Sequence, residues 1–243
     1  MDHPFLRNEM LWGPEGQARL AASHVLLFGL GGVGSYTAEC LARSGVGELT
    51  IVDNDTVGLT NLNRQLEALH STLGQPKTEA VAARLRDINP ALKLHPLCAT
   101  YDAAHREIFF PTGCRYDYIV DAIDLVSCKL DLAETALGLH IPLIAALGTG
   151  NKLDPTALRL ADISETYGCP LARVMRKELR NRGILHLPVV FSPEEPTTSP
   201  ISSSEAPPPG RRSIPASNPW VPATAGLLLG SAVVRALMEK ERE

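Results

Sequence analysis

An apolar run, a glycine-rich turn and a second apolar run ending in an acid constrain this chain more than any other feature. Val25-Leu26-Leu27-Phe28 leads into Gly29-Leu30-Gly31-Gly32-Val33-Gly34, and Leu49-Thr50-Ile51-Val52 ends at Asp53. An unbroken apolar run of this length suits a strand buried on both faces. Glycines at its end let the chain turn sharply into a helix and let a phosphate approach the backbone amides there. An acid about twenty residues on suits a ribose hydroxyl, because a carboxylate accepts two hydrogen bonds in that position. The same turn with no ligand would be a plain strand-to-helix connection. Its place between two apolar runs, with an acid at the expected distance, favours a nucleotide.

The rest of the chain extends the alternation. Helices are expected at 14–22, 32–44, 77–88 and 129–139, and strands at 24–28, 48–52, 92–97, 116–120 and 142–147. Val81, Leu85 and Ile88 fall at helical spacing, and Asn89-Pro90 stops that helix. Strands alternating with helices predict an α/β fold: a Rossmann-like, mostly parallel sheet with helices on both faces and ligands beyond the carboxyl ends of its strands. A substrate-side extension comes next, with a helix at 171–182 and a strand at 187–191. Residues 192–212, rich in Pro, Ser and Glu, are expected to form a mobile loop. A closing helix spans about 222–240. The 243 residues are read as a single domain, with a nucleotide-binding part at about 24–150 and a substrate-side part at about 151–243.

Charge and cysteine content narrow the classes. A net charge of −4 argues against a wholly basic nucleic-acid binder and leaves room for a local basic patch. Five cysteines, with no C-x-x-C pair, argue against a disulfide framework and a thiolate zinc site. Met1-Asp2-His3-Pro4-Phe5-Leu6-Arg7 contains no apolar core of a signal peptide. The apolar stretch 220–238 is interrupted by Pro222, Thr224, Ser231 and Arg235, so a buried helix is expected, in a cytoplasmic protein without an integral membrane span. Peripheral membrane contact is the alternative.

The residues after Asp53 do not suit a dehydrogenase. Asp53-Asn54-Asp55 leads to Asn61-Leu62-Asn63-Arg64-Gln65 and then to Gly74-Gln75-Pro76-Lys77. Fixed cations such as Arg64 and Lys77 would offset the charge that builds on a triphosphate under attack. Asp124, just past the expected fourth strand, is placed to hold Mg²⁺ between phosphate oxygens. Asp121 reads as structural, capping the next turn, and Asp55 fits either the site or a turn cap. Arg173, Arg176, Lys177 and Arg180 share one face of a helix, opposite Leu171, Met175 and Leu179. Such a stripe is either a solvated face or a seat for a phosphate backbone. Cys169, near Arg173 and Arg176, is either a nucleophile or a small packed residue.

Gly29–Gly34, Asp53, Asn61, Arg64-Gln65, Lys77 and Asp124 together resemble, in order and spacing, the adenylation motif of the ubiquitin-activating-type superfamily of ThiF, MoeB and HesA proteins. Within it the chain looks closest to the tRNA threonylcarbamoyladenosine dehydratases. Arg7-Asn8-Glu9-Met10-Leu11, Asp121–Asp124, Gly148–Pro155, Cys169–Arg176, Gly210-Arg211-Arg212 and Val221–Gly226 carry that likeness. The resemblance implies ATP and Mg²⁺, with Gly29, Gly31, Gly32, Gly34, Asp53, Asp55, Asn61, Arg64 and Lys77 around the nucleotide. It implies catalytic roles for Arg7, Arg64, Lys77 and Asp124, with Arg7 reaching the nucleotide of the other subunit in a homodimer. It also inclines the cationic helix face toward tRNA. The implied reaction activates the threonyl carboxylate of the modified adenosine by adenylation, and the neighbouring carbamoyl group then closes a ring with net loss of water. The zinc cysteine pairs of many MoeB-type members are absent. So is the cysteine that some dehydratases carry before the last helix, where this chain has 213-SIPASNPW-220.

Two rivals remain. One keeps the adenylation and changes the substrate to the Gly-Gly tail of a ubiquitin-like sulfur carrier, which would bring a sulfur-carrier or sulfur-transfer protein as partner. The other is a dehydrogenase or a non-catalytic nucleotide sensor; Arg64 and Lys77 count against the dehydrogenase, and a sensor would bind ATP yet release no pyrophosphate.

Overall fold

The computed structural model describes residues 3–198, 201 and 214–239. Gly210, Arg211, Arg212 and most of the stretch 199–212 lie outside the described residues. One sheet contains β1 (His24–Phe28), β2 (Glu48–Val52), β3 (Lys93–Leu97), β4 (Tyr118–Asp121), β5 (Leu143–Ala146), β6 (Arg159–Asp162) and β7 (Pro188–Phe191). Its order is β3-β2-β1-β4-β5-β7-β6, with every pairing parallel except β6 against β7. The helices are α1 (Leu6–Ala21), α2 (Gly34–Ser44), α3 (Lys77–Ile88), α4 (Arg106–Phe109), α5 (Val126–Gly138), α6 (Pro170–Asn181) and α7 (Trp220–Glu239). The expected α/β architecture is the one observed.

Alternation along β1 explains why helices cover both faces. Val25 and Leu27 enter one core with Leu41 of α2, Leu85 of α3 and Leu229 of α7. Leu26 and Phe28 enter the other, with Leu132 of α5 and Met175 and Leu179 of α6. Successive strand residues point to opposite faces, so an unbroken apolar run demands two cores.

β1, β2 and α3 occupy the residues expected of them. α1 starts well before residue 14, because Gly13, at φ 78, kinks two helical runs into one element. β6 departs from the expected set of strands: Arg159-Leu160-Ala161-Asp162 has no apolar run, and as an edge strand it stays partly exposed.

α7 is long and apolar enough by length and composition to cross a membrane, with a mean hydropathy of 1.6, yet half of that stretch is buried. Val221, Ala225, Leu229, Val233 and Leu237 form its inward stripe. Gly226 and Gly230 bring it hard against α2, since a Cβ on the first would overlap the Val33 carbonyl oxygen and on the second the Cys40 side chain. The expected buried helix is therefore present.

The stretch beginning at 192 departs from its expectation as a mobile loop at its start, where hydrogen bonds hold it. Glu194 accepts the amides of Leu153 and Asp154, and the Thr197 amide donates to the Asn151 carbonyl at 2.8 Å. Ser192 is fully buried.

Candidate nucleotide and substrate site

Strand order reverses between β1 and β4, where an open parallel sheet leaves a crevice beyond its carboxyl ends. A cavity of about 930 Å³ lies there. Its wall takes Gly29, Gly31, Gly32 and Val33 after β1, Asp53–Asp55 after β2, Ala122–Val126 around the end of β4 and Ala146–Lys152 after β5. Asn61, Arg64, Gln65 and Lys77 complete the nucleotide side. The sequence-predicted nucleotide residues are thus brought together, with one refinement. Gly34 shapes the turn instead of lining the cavity, because a Cβ there would overlap the Gly29 carbonyl oxygen.

Asp53 holds the turn in place. Its Oδ2 accepts the Leu30 amide at 2.7 Å and its Oδ1 the Asp55 amide at 2.8 Å. A carboxylate has about four acceptor positions, so two remain for ligand hydroxyls. Burial pushes its pKa up, opposed by the Lys77 charge and the two amides. Lys77 is buried at the start of α3, with Nζ 2.9 Å from Asp55 Oδ2. Asp55 therefore sits at the site, as the partner of its cation. Burial also lifts nearby Glu67 to about 7, against its own backbone amide and the Lys77 charge.

The 61–65 segment is a tight turn built by its own asparagines. Asn61 Oδ1 accepts the Gly58 amide at 2.9 Å, and Arg64 Nη1 donates to the Thr60 carbonyl and to Asn63 Oδ1. Asn63 Nδ2 donates at 3.1 Å to the carbonyl of Ser217, in the strap that leads to α7. Gln65 Oε1 is buried with no hydrogen-bond partner among the described residues, an acceptor left over at the cavity wall.

Asp124 is exposed at the cavity edge, a carboxylate of the kind that would hold a hard cation such as Mg²⁺. Asp121 is structural, as expected: its Oδ1 accepts the Ile123 amide at 3.0 Å and pairs with buried Lys129 at 2.9 Å. Burial pushes Asp121 up, with Lys129 pulling down.

Other predicted residues stand apart. Arg7 is exposed and outside its own chain's cavity. Arg173, Lys177 and Arg180 are exposed on α6, but Arg176 turns inward, donating to the Thr166 carbonyl and hydroxyl at 2.5 and 2.6 Å. The stripe therefore presents three cations where four were expected. Cys169 is buried, lines the cavity and caps α6, accepting the Ala172 amide at 3.5 Å.

Read residue by residue, the sequence assigns no role to Gly148–Lys152, which form the far wall of the cavity. Their signal is nonetheless present: a glycine-rich run directly after a predicted strand of a parallel sheet lies at the ligand-binding end.

A model of the ThiF family matches residues 5–242. The chain is 44% identical to the tRNA threonylcarbamoyladenosine dehydratase of Bacillus subtilis (strain 168), over 98% of this chain and 96% of that protein. It is similar in structure to Escherichia coli tRNA N6-threonylcarbamoyladenosine dehydratase, TcdA, solved in complex with ATP, with a TM-score of 0.85 at 32% identity over 97% of this chain and 93% of that one. The molybdopterin-synthase adenylyltransferase of E. coli (strain K12) is 34% identical over 64% of this chain and 61% of that protein. Because the family match runs through both the glycine turn and the far wall of the cavity, this chain belongs to the ThiF family.

Proposed function

We propose that this chain catalyses the ATP-dependent cyclising dehydration of threonylcarbamoyladenosine next to the tRNA anticodon. The observation that carries it is a single cavity running from the glycine turn to the Gly148–Lys152 wall, so that a nucleotide and the group it activates share one space. The similarity to the B. subtilis dehydratase over nearly the full chain supports it, as does that to the E. coli enzyme solved with ATP and with AMP.

In this reading the threonyl carboxylate attacks the α-phosphate of ATP and pyrophosphate leaves. The carbamoyl group then attacks the activated acyl carbon, AMP leaves with one carboxylate oxygen, the carbamoyl nitrogen gives up a proton, and the nucleoside is left one water lighter. Asp53 receives the ribose. Gly29, Gly31 and Gly32 let the phosphates approach the amides before α2, and Gln65 and Asn61 border them. Arg64 and Lys77 meet the charge on the phosphates, a contribution on the order of 10²- to 10³-fold for one well-placed donor. Asp124 would hold Mg²⁺, which when bound neutralises phosphate charge. Arg173, Lys177 and Arg180 face the tRNA backbone. The enzyme, ligase-like in joining AMP to a carboxylate, acts as a cytoplasmic homodimer in which Arg7 reaches the partner's nucleotide. Arg7→Ala is then expected to lower ATP turnover while leaving thermal stability unchanged.

The test is mass spectrometry of nucleosides from tRNA carrying threonylcarbamoyladenosine, after incubation with the protein, ATP and Mg²⁺. Loss of one water, absent with Lys77→Ala or Asp124→Ala, is the expected result. The similarity to molybdopterin-synthase adenylyltransferase favours a second reading, adenylation of the Gly-Gly tail of a sulfur carrier. No mass change on tRNA, with AMP transfer to such a carrier, would select it.

A further inference from the structure

Lys152 is a charged residue sealed into the far wall of the cavity. It is 2% exposed, and its Nζ is buried with no hydrogen-bond partner among the described residues. Of the described carboxylates that act on it, Glu194 turns to the backbone, accepting the Leu153 amide at 2.9 and 3.2 Å and the Asp154 amide at 3.1 Å. Burial pushes the Lys152 pKa down, with Cys169, Glu194 and Glu195 opposing. A buried ammonium without a partner costs several kcal/mol. A fold retains that cost most readily where an anion arrives to complete the pair.

The backbone around Lys152 is pinned, so the side chain starts from a fixed point. Its carbonyl accepts Asn218 Nδ2 at 2.6 Å, and the Trp220 indole donates to the Leu153 carbonyl at 2.8 Å. Asn151 Oδ1 accepts the Ala216 amide at 2.7 Å. Cys169 and Gly148 line the same cavity and lie against each other, since a Cβ on Gly148 would overlap Cys169 Sγ.

We propose that Lys152 forms an anion subsite for the substrate's own carboxylate, holding the group that ATP activates on the side of the cavity away from the nucleotide. The inference rests on the dehydratase reading and adds to it a positioning residue for the acyl group. The ammonium donates to one carboxylate oxygen while the other faces the α-phosphate. When the carboxylate becomes an acyl phosphate and then the ring carbonyl, the same donor stays on the acyl oxygen and keeps its proton; the proton that the carbamoyl nitrogen gives up on ring closure leaves with the departing AMP or to water.

The experiment compares wild type, Lys152→Met and Lys152→Arg by three readouts: affinity for a non-hydrolysable ATP analogue, KM for tRNA carrying threonylcarbamoyladenosine in pyrophosphate release, and melting temperature. Lys152→Met is expected to bind the analogue within twofold of wild type and to raise the tRNA KM on the order of 10- to 100-fold, the loss of one charge-assisted hydrogen bond. It is also expected to melt higher, because an unpaired buried charge has been removed. Lys152→Arg should recover part of the KM. An unchanged KM in Lys152→Met with active wild type, or a lower melting temperature with weakened analogue binding, would overturn the subsite. Wild type that releases no pyrophosphate with this tRNA would overturn the dehydratase reading itself and the carboxylate assigned here with it.

Discussion

Lys77 Nζ lies 2.9 Å from Asp55 Oδ2, the lysine side chain buried and the aspartate largely open to solvent. The cation at the nucleotide side is thus held in place before any triphosphate arrives, by a carboxylate that water can take over when phosphate oxygens replace it. Removing the two partners has unequal consequences. Lys77→Ala should lower pyrophosphate release on the order of 10²- to 10³-fold. Asp55→Ala should change it less than about fivefold, because an exposed carboxylate contributes little to such a pair. Initial rates at saturating ATP distinguish them; equal losses would show that Asp55 acts on the ligand directly.

Asp53 joins the end of β2 to the turn after β1 through the Leu30 amide at 2.7 Å. Asp53→Ala should therefore raise the KM for ATP and also destabilise the fold by roughly 1–3 kcal/mol, the range for losing a charged acceptor of a buried donor. Urea denaturation beside ATP titration checks both effects.

Glu67 predicts the pH dependence of stability. Burial raises its carboxyl from an ordinary value near 4.5 to about 7. The folded state then binds the proton more tightly than the unfolded chain, so this group's contribution to stability is greatest at low pH. It is lost as pH rises from about 4.5 to about 7, by roughly 3 kcal/mol in total. Glu67→Gln should flatten that part of the profile and gain stability relative to wild type at pH 8. Chemical denaturation at pH 5, 6, 7 and 8 measures it.

The cations of α6 divide into two kinds. Arg176→Ala leaves the buried Thr166 carbonyl and hydroxyl without their donor and should cost roughly 1–3 kcal/mol of stability. Lys177→Ala and Arg180→Ala should leave stability unchanged and weaken tRNA binding. Each should lower the slope of log affinity against log salt by about one. Filter binding at several salt concentrations, with melting curves, separates the two.

The nucleotide half was legible in the sequence because its determinants are local. A four-residue apolar run, a glycine turn and an acid at the end of the next strand need only their neighbours to declare themselves, and β1, β2 and α3 lie where the periodicity puts them. Asn61, Arg64, Gln65, Lys77 and Asp124, which line the cavity, were legible through their order along the chain. β6 escaped because an exposed edge strand carries no apolar signature. Arg176 read as one more surface cation, because only folding brings the buried Thr166 within its reach.

By itself the sequence determined a parallel α/β sheet with a nucleotide turn at β1 and the residue set around it, since backbone geometry and hydrophobic periodicity act over a few residues. Only the tertiary structure decided which charges are engaged and which are stranded. Glu194 turns to the amides of Leu153 and Asp154, Asn218 ties the strap to the Lys152 carbonyl, and Lys152 is left in the cavity wall without a partner among the described residues. Those outcomes depend on segments distant in the chain being packed together, which buries the Lys152 side chain. There a charge is governed by the partners the fold supplies.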